Sequence, residues 1–129
     1  MIAVDANILL ELLEQHKHML AVRQTLDDFR QQGEAVSASA LSISHIFYLA
    51  EAHNIATKRV EELTRVFKVY DVTSADIDWA LGHYKGKDFE DALQIAAALR
   101  EKCAAFLTLD ASLARKYSKF LDIKLIGKS

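Results

Sequence analysis

The chain has 129 residues, 51% of them hydrophobic and 26% charged, a balance that suits a single folded domain over residues 1–129 and excludes a disordered or fibrous chain. Its net charge of −2 neither requires nor opposes a nucleic-acid partner. No stretch approaches the ~20 apolar residues of a membrane span. Asp5, Glu11 and Glu14 interrupt the uncharged run that a secretory signal needs. The lone cysteine, Cys103, can form no internal disulfide, so a reducing cytoplasm is the expected compartment.

In chain order, residues 1–4 read as a short buried strand that ends at Asp5. Ile8, Leu9, Leu12 and Leu13 have helical spacing, and a second helix over 18–32 ends at Gly33, a natural stop. Leu9, Leu13, Leu20 and Phe29 are expected either in the core or on a dimer or partner surface. A small strand covers 35–38, a helix 41–52, and another helix starts near Thr57, placed to cap it. A strand over 67–72 precedes a helix capped by Thr73 or Ser74, and Gly82 to Lys87 read as a loop. Residues 88–101 form a mostly apolar helix, 103–108 a strand holding Cys103, 111–117 a helix and 123–126 a last strand. Such alternation predicts an α/β class, three-layer α/β/α domain around a central parallel sheet of four to five short strands.

The helix over 88–101 opens with Asp88, Glu90 and Asp91 and then turns almost wholly apolar. Asp88 and Asp91, three apart, share a helical face. In an open parallel sheet, sites collect outside the carboxyl ends of the strands where strand order reverses. Asp5 and Asp110 each follow a strand, so if the first and fourth strands are neighbours, Asp5, Asp88, Asp91 and Asp110 converge on one edge. Aspartate is also a favoured helix cap, which would account for any one of them alone. The other helix starts use Ser39, Thr57 and Thr73 or Ser74, and four acids gathered together repel unless a cation joins them. The set therefore points to Mg²⁺ or Mn²⁺, hard ions that take oxygen ligands. No zinc-type Cys/His cluster, glycine-rich phosphate loop or Ser-His-Asp order competes. A basic surface with Arg115, Lys116 and Lys119 is a candidate phosphate-backbone contact or a solvated face.

Four segments together resemble the PIN-domain family: residues 4–7 with Asp5 and Asn7, 39–48, 88–97 with Asp88 and Asp91, and 107–110 with Asp110. The resemblance implies a metal-dependent endoribonuclease of VapC type, dimeric and neutralised by an antitoxin protein. It further implies metal binding or catalysis by Asp5, Asp91 and Asp110, with Asn7 and Thr108 in support and Asp88 as an additional acid. One departure stands out: His45 occupies the position where the family has Glu, and it is expected to point inward. An imidazole can bind Mn²⁺ through nitrogen but lacks the charge Mg²⁺ prefers. A catalytically weak binding module is the alternative. An aspartate-phosphorylated receiver domain fits worse, because Ala6 rather than a second acid follows Asp5.

Overall fold

The computed structural model describes residues 1–127. Five strands, β1 (Ile2–Val4), β2 (Val36–Ser39), β3 (Lys68–Tyr70), β4 (Ala105–Thr108) and β5 (Ile123–Leu125), form one sheet in the order β3-β2-β1-β4-β5. Every neighbouring pair is parallel. Seven helices connect them: α1 (Ala6–Glu14), α2 (Met19–Gln31), α3 (Ala40–Ala52), α4 (Thr57–Thr64), α5 (Ser74–His83), α6 (Phe89–Arg100) and α7 (Ala111–Tyr117). The expected three-layer architecture is the observed one. Among the described residues no helix is long and apolar enough to cross a membrane.

The pleat divides the core. Along β1, Ile2 and Val4 join the cluster that α1 to α4 cover, while Ala3 turns to the opposite cluster under α6 and α7. In β4 the same alternation sends Ala105 and Leu107 one way and Phe106 the other. Buried on both faces, these strands are apolar runs, as central parallel strands require. Small side chains at Ala92, Ala96, Ala97 and Ala98 let α6 sit close to its neighbours, with Ile95 fully buried among them.

Polar clamps fix where α6 lies. Gln94, itself buried, accepts from the Ser39 hydroxyl (2.8 Å) and donates to the Ser42 hydroxyl (2.6 Å), tying α6 to the start of α3. Arg100 donates to both oxygens of buried Asp76 (3.0 and 3.1 Å), tying the other end of α6 to α5. Asp76 also completes the capping box begun by Thr73.

Gly33 ends α2 as expected, and other boundaries differ for identifiable reasons. Gly33 stands just past α2 at φ +84°, with Glu34 N–H bonded to the Phe29 carbonyl (3.0 Å), the turn that glycine favours. Thr57 does not cap α4: Asn54 turns through φ 59°, Ile55 packs into the core, and Ala56 takes the cap position. Gly82 lies inside α5 rather than in a loop, because His83 stacks on Trp79 at 3.8 Å and prolongs the helix. Cys103 belongs to the turn ending α6, not to a strand, since its N–H bonds the Ala98 carbonyl (3.0 Å). Leu9 and Leu13 are core residues and Phe29 packs against them, leaving only Leu20 of that group as surface, 74% exposed.

Ile95→Ala opens a void in a core that cannot readily collapse around it, and should cost roughly 2–5 kcal/mol. Leu20→Ala should change stability by no more than about 0.5 kcal/mol. Urea denaturation of both variants checks the contrast.

Candidate metal centre

Because β1 pairs with β4, with Val4 opposite Leu107, the chain segments that leave these two strands run side by side. Asp5 caps α1, its Oδ1 accepting from the Ala6 N–H (2.7 Å). Its Oδ2 accepts from the Thr108 hydroxyl (2.9 Å) and from the Asn7 amide (3.2 Å). Asn7 also donates to Thr108 Oγ1 (3.3 Å) and accepts from the Leu109 N–H (3.2 Å). Thr108 in turn accepts from the Asp110 N–H (3.0 Å). Asn7 and Thr108 thus lock the exits of both strands together. Asp110 caps α7 through Oδ1, which accepts from Ser112 and Leu113 (2.9 and 3.2 Å). Its second oxygen has no protein partner among the described residues.

Asp91 stands in the first turn of α6. Among the described residues its carboxylate accepts no hydrogen bond. Burial, and then the charges of Asp5 and Asp110, push its pKa up to about 6. The pKa of Asp5 is also raised: burial dominates, against the Thr108 and Ala6 hydrogen bonds, with Asp110 adding to the rise. Burial leads both shifts, and the like charges of neighbouring carboxylates add to it.

Asp88 behaves differently. It occupies the cap position of α6 without a side-chain cap bond. Instead it accepts from the Tyr117 hydroxyl (2.6 Å) and the Lys85 N–H, with the Lys116 ammonium 3.5 Å away. Burial raises its pKa, yet these three donors outweigh that and hold it below the usual carboxylate range. Both its oxygens are therefore engaged by the protein, fastening α6 to α7.

A cavity of ≈ 260 Å³ lies over this edge, lined by Asp5, His45, Lys87, Asp88, Glu90, Asp91 and Gln94. A larger hollow of ≈ 610 Å³ beside α3 and α4 holds a single acid, Glu51, and no such convergence. His45 reaches the rim of the smaller cavity rather than its interior, 39% exposed, with Nδ1 3.3 Å from Glu90 Oε1. Of the basic candidates, Lys116 is paired with Asp88, Lys119 lies over the Phe120 ring at 5.1 Å, and Arg115 is exposed on α7. Sequence reasoning passed over Lys87, Glu90 and Gln94. The same helical spacing that singled out Asp91 could have marked Gln94, three residues on and facing the same way.

The donor set fits a hard divalent cation. Among the described residues no group of three or more acidic, histidine or cysteine side chains is arranged as a ready-made cage. Mg²⁺ does not need one, because it keeps several waters and binds through one or two carboxylates. An unpartnered Asp91 held among like charges is the feature such an ion would relieve.

The sequence matches the family described as PIN domain over residues 2–119. No curated protein matches it by sequence. In structure it is similar to a toxin–antitoxin complex from Klebsiella pneumoniae, with TM-score 0.74, 15% identity and 96% of each chain covered. It is similar to VapBC2 from Rickettsia felis bound to a promoter DNA fragment, with TM-score 0.71, 12% identity and 97% and 98% of the two chains covered. It is also similar to the Mycobacterium tuberculosis toxin VapC20, described as cleaving the sarcin–ricin loop, with TM-score 0.69, 15% identity and 89% and 94% covered. At these identities the structural likenesses show the fold.

In metal-free buffer the raised pKa of Asp91, about 6, gives a stability contribution that is present below about pH 4 and lost as pH rises through 6. Asp91→Asn removes that titration. With chelator present, the variant should exceed wild type by about 1–2 kcal/mol at pH 7.5, after discounting for partial exposure, and lose this advantage at pH 4. Urea unfolding at the two pH values checks the difference, and a gap independent of pH would contradict it.

Proposed function

The chain belongs to the PIN-domain family, a family generally of nucleases, and we propose that it is a Mg²⁺- or Mn²⁺-dependent endoribonuclease, the toxin of a toxin–antitoxin pair. The observation that carries this reading is Asp91, a carboxylate without a protein partner, raised to about pKa 6 beside Asp5 and Asp110. In this reading Asp5, Asp91 and Asp110 hold the ion, which supplies Lewis-acid polarisation of a phosphodiester and lowers the pKa of an attacking water. Asn7 and Thr108 hold the Asp5 carboxylate still through its Oδ2. The Ser39–Gln94–Ser42 clamp holds α6 one turn beyond Asp91 and so supports its position. Lys87, on the wall of the cavity, offers a cation to the phosphate backbone where Lys116 is already paired.

The toxin–antitoxin complexes among the structural relatives support an antitoxin partner. A homodimer belongs to the same proposal, supported by Ile77 and Leu81 on α5, 42% and 58% exposed, and Tyr84 just beyond, 44% exposed. A cytoplasmic location agrees with it. A second reading, a binding module with little activity, rests on one observation: His45 stands at a position where a carboxylate is expected and brings no fixed negative charge to the site.

Purified protein should cleave structured RNA with Mn²⁺ or Mg²⁺ and stop on addition of EDTA. Asp5→Asn and Asp91→Asn should each lower the rate on the order of 10²-fold or more, and Asn7→Ala by about 10-fold. Gel analysis of end-labelled RNA reads all of these. No cleavage by wild type with any divalent ion would reject the nuclease and favour the binding module.

A further inference from the structure

Residues 84–88 join α5 to α6, and all but Asp88 are exposed. Gly86 reverses the chain at φ +68°, with no atom within 4 Å of the place a Cβ would take. Across that turn the Lys85 N–H donates to Asp88 Oδ1, a bond from the main chain to a side chain three residues on. Among the described residues it is the one hydrogen bond that Lys85, Gly86 and Lys87 make. Asp88 Oδ2 accepts from the Tyr117 hydroxyl at 2.6 Å, with the Lys116 ammonium 3.5 Å away. Tyr117 is 1% exposed and belongs to the core cluster under α6 and α7. The loop therefore hangs from the core by one buried carboxylate. Turning either oxygen toward an ion would release the loop or leave the Tyr117 hydroxyl unpaired in the core, a cost the fold avoids.

Lys87 is the next residue along and lines the cavity with Asp5, Glu90 and Asp91. Among the described residues it is the one lysine or arginine on that wall, and it forms no ion pair there. Acids repel an approaching phosphate, and a cation fixed at the same wall offsets the repulsion. We propose that Asp88 and Tyr117 are positioning residues for the substrate: they hold the loop so that Lys87 meets a phosphate of an RNA strand at the cavity, and Asp88 is not a ligand of the ion. The proposal rests on the nuclease reading for its substrate. It gives Asp88 a role other than the one the family resemblance implies, acting on RNA through Lys87.

Fluorescence anisotropy with a labelled single-stranded RNA oligonucleotide in EDTA reads binding without ion or cleavage. Lys87→Ala should weaken binding about 5-fold at about 0.1 M salt and lower the slope of log Kd against log salt by about 0.7, the counterion release of one single-strand phosphate contact. Tyr117→Phe keeps the buried ring and Asp88→Asn keeps the size of the side chain. Each should weaken binding and flatten the salt slope, and neither should weaken it further in a Lys87→Ala background. A merely structural loss would add to the Lys87→Ala effect. In cleavage assays with Mn²⁺ the Asp88→Asn and Tyr117→Phe variants should act mainly on KM, whereas loss of an ion ligand would lower kcat on the order of 10²-fold. Circular dichroism verifies folding, and if Asp88→Asn does not fold, Tyr117→Phe decides. Additive effects, an unchanged salt slope in Lys87→Ala, or a loss confined to kcat overturns the assignment and leaves the nuclease reading intact. RNA binding that depends on Lys87 and Asp88 in a protein that cleaves with no ion upholds the assignment and overturns the nuclease. No RNA binding by wild type overturns the assignment.

Discussion

Parallel pairing of β1 with β4 is the constraint on which the site depends, because it brings together residues a hundred positions apart in the chain. Val4 sits opposite Leu107, so Asp5 and Thr108 leave the sheet at the same level. The hydroxyl of Thr108 can then reach Asp5 at 2.9 Å, and Asn7 can bridge to both. Strand order turns about β1: the chain goes from β1 to β2 and β3 on one side, then returns to β4 and β5 on the other. Helices leave in opposite directions at such a point and open a crevice between them. Asp5 and Asp91 line that crevice, and the charge of Asp110 is felt at both.

Gathering carboxylates costs stability, and the fold shows how α6 is kept in place against their repulsion. Its middle is held by Gln94 between Ser39 and Ser42, its C-terminal end by Arg100 on Asp76. Asp88 is turned aside onto Tyr117 and Lys116, which anchors α6, while its charge still adds to the rise at Asp91. Between these anchors the alanine face and Ile95 pack without polar groups. Among the described residues, Asp91 is then the one acid of the first turn that is both shielded and without a hydrogen-bond partner. A carboxylate held so costs stability on its own, the usual trade of stability for function at a site.

Much of this was legible in the residues. Short apolar runs alternating with amphipathic segments dictate a parallel sheet under helices, and Asp5, Asp91 and Asp110 sit at the strand exits and helix starts where such sheets place their sites. What stayed hidden was set by tertiary contact. Gly82 reads as a loop until Trp79 and Phe120 pack around His83. Thr57 reads as a cap until Ile55 is pulled into the core. Lys116 looks free to meet phosphate until Tyr117, its neighbour, brings Asp88 within 3.5 Å. The closeness of Glu90 to His45, 3.3 Å away on another helix, is likewise set only by the fold.

The claim at the centre of this account is that the carboxylates at the β1–β4 edge form a divalent-cation site. Thermal melting of wild type and of Asp91→Asn, each with and without Mn²⁺ or Mg²⁺, addresses it directly. An ion bound only by the folded state stabilises it by about 2.7 kcal/mol at a hundredfold excess over its dissociation constant. The account predicts a rise in melting temperature of several degrees for wild type, absent in Asp91→Asn. No rise in wild type, or an equal rise in both, would contradict it.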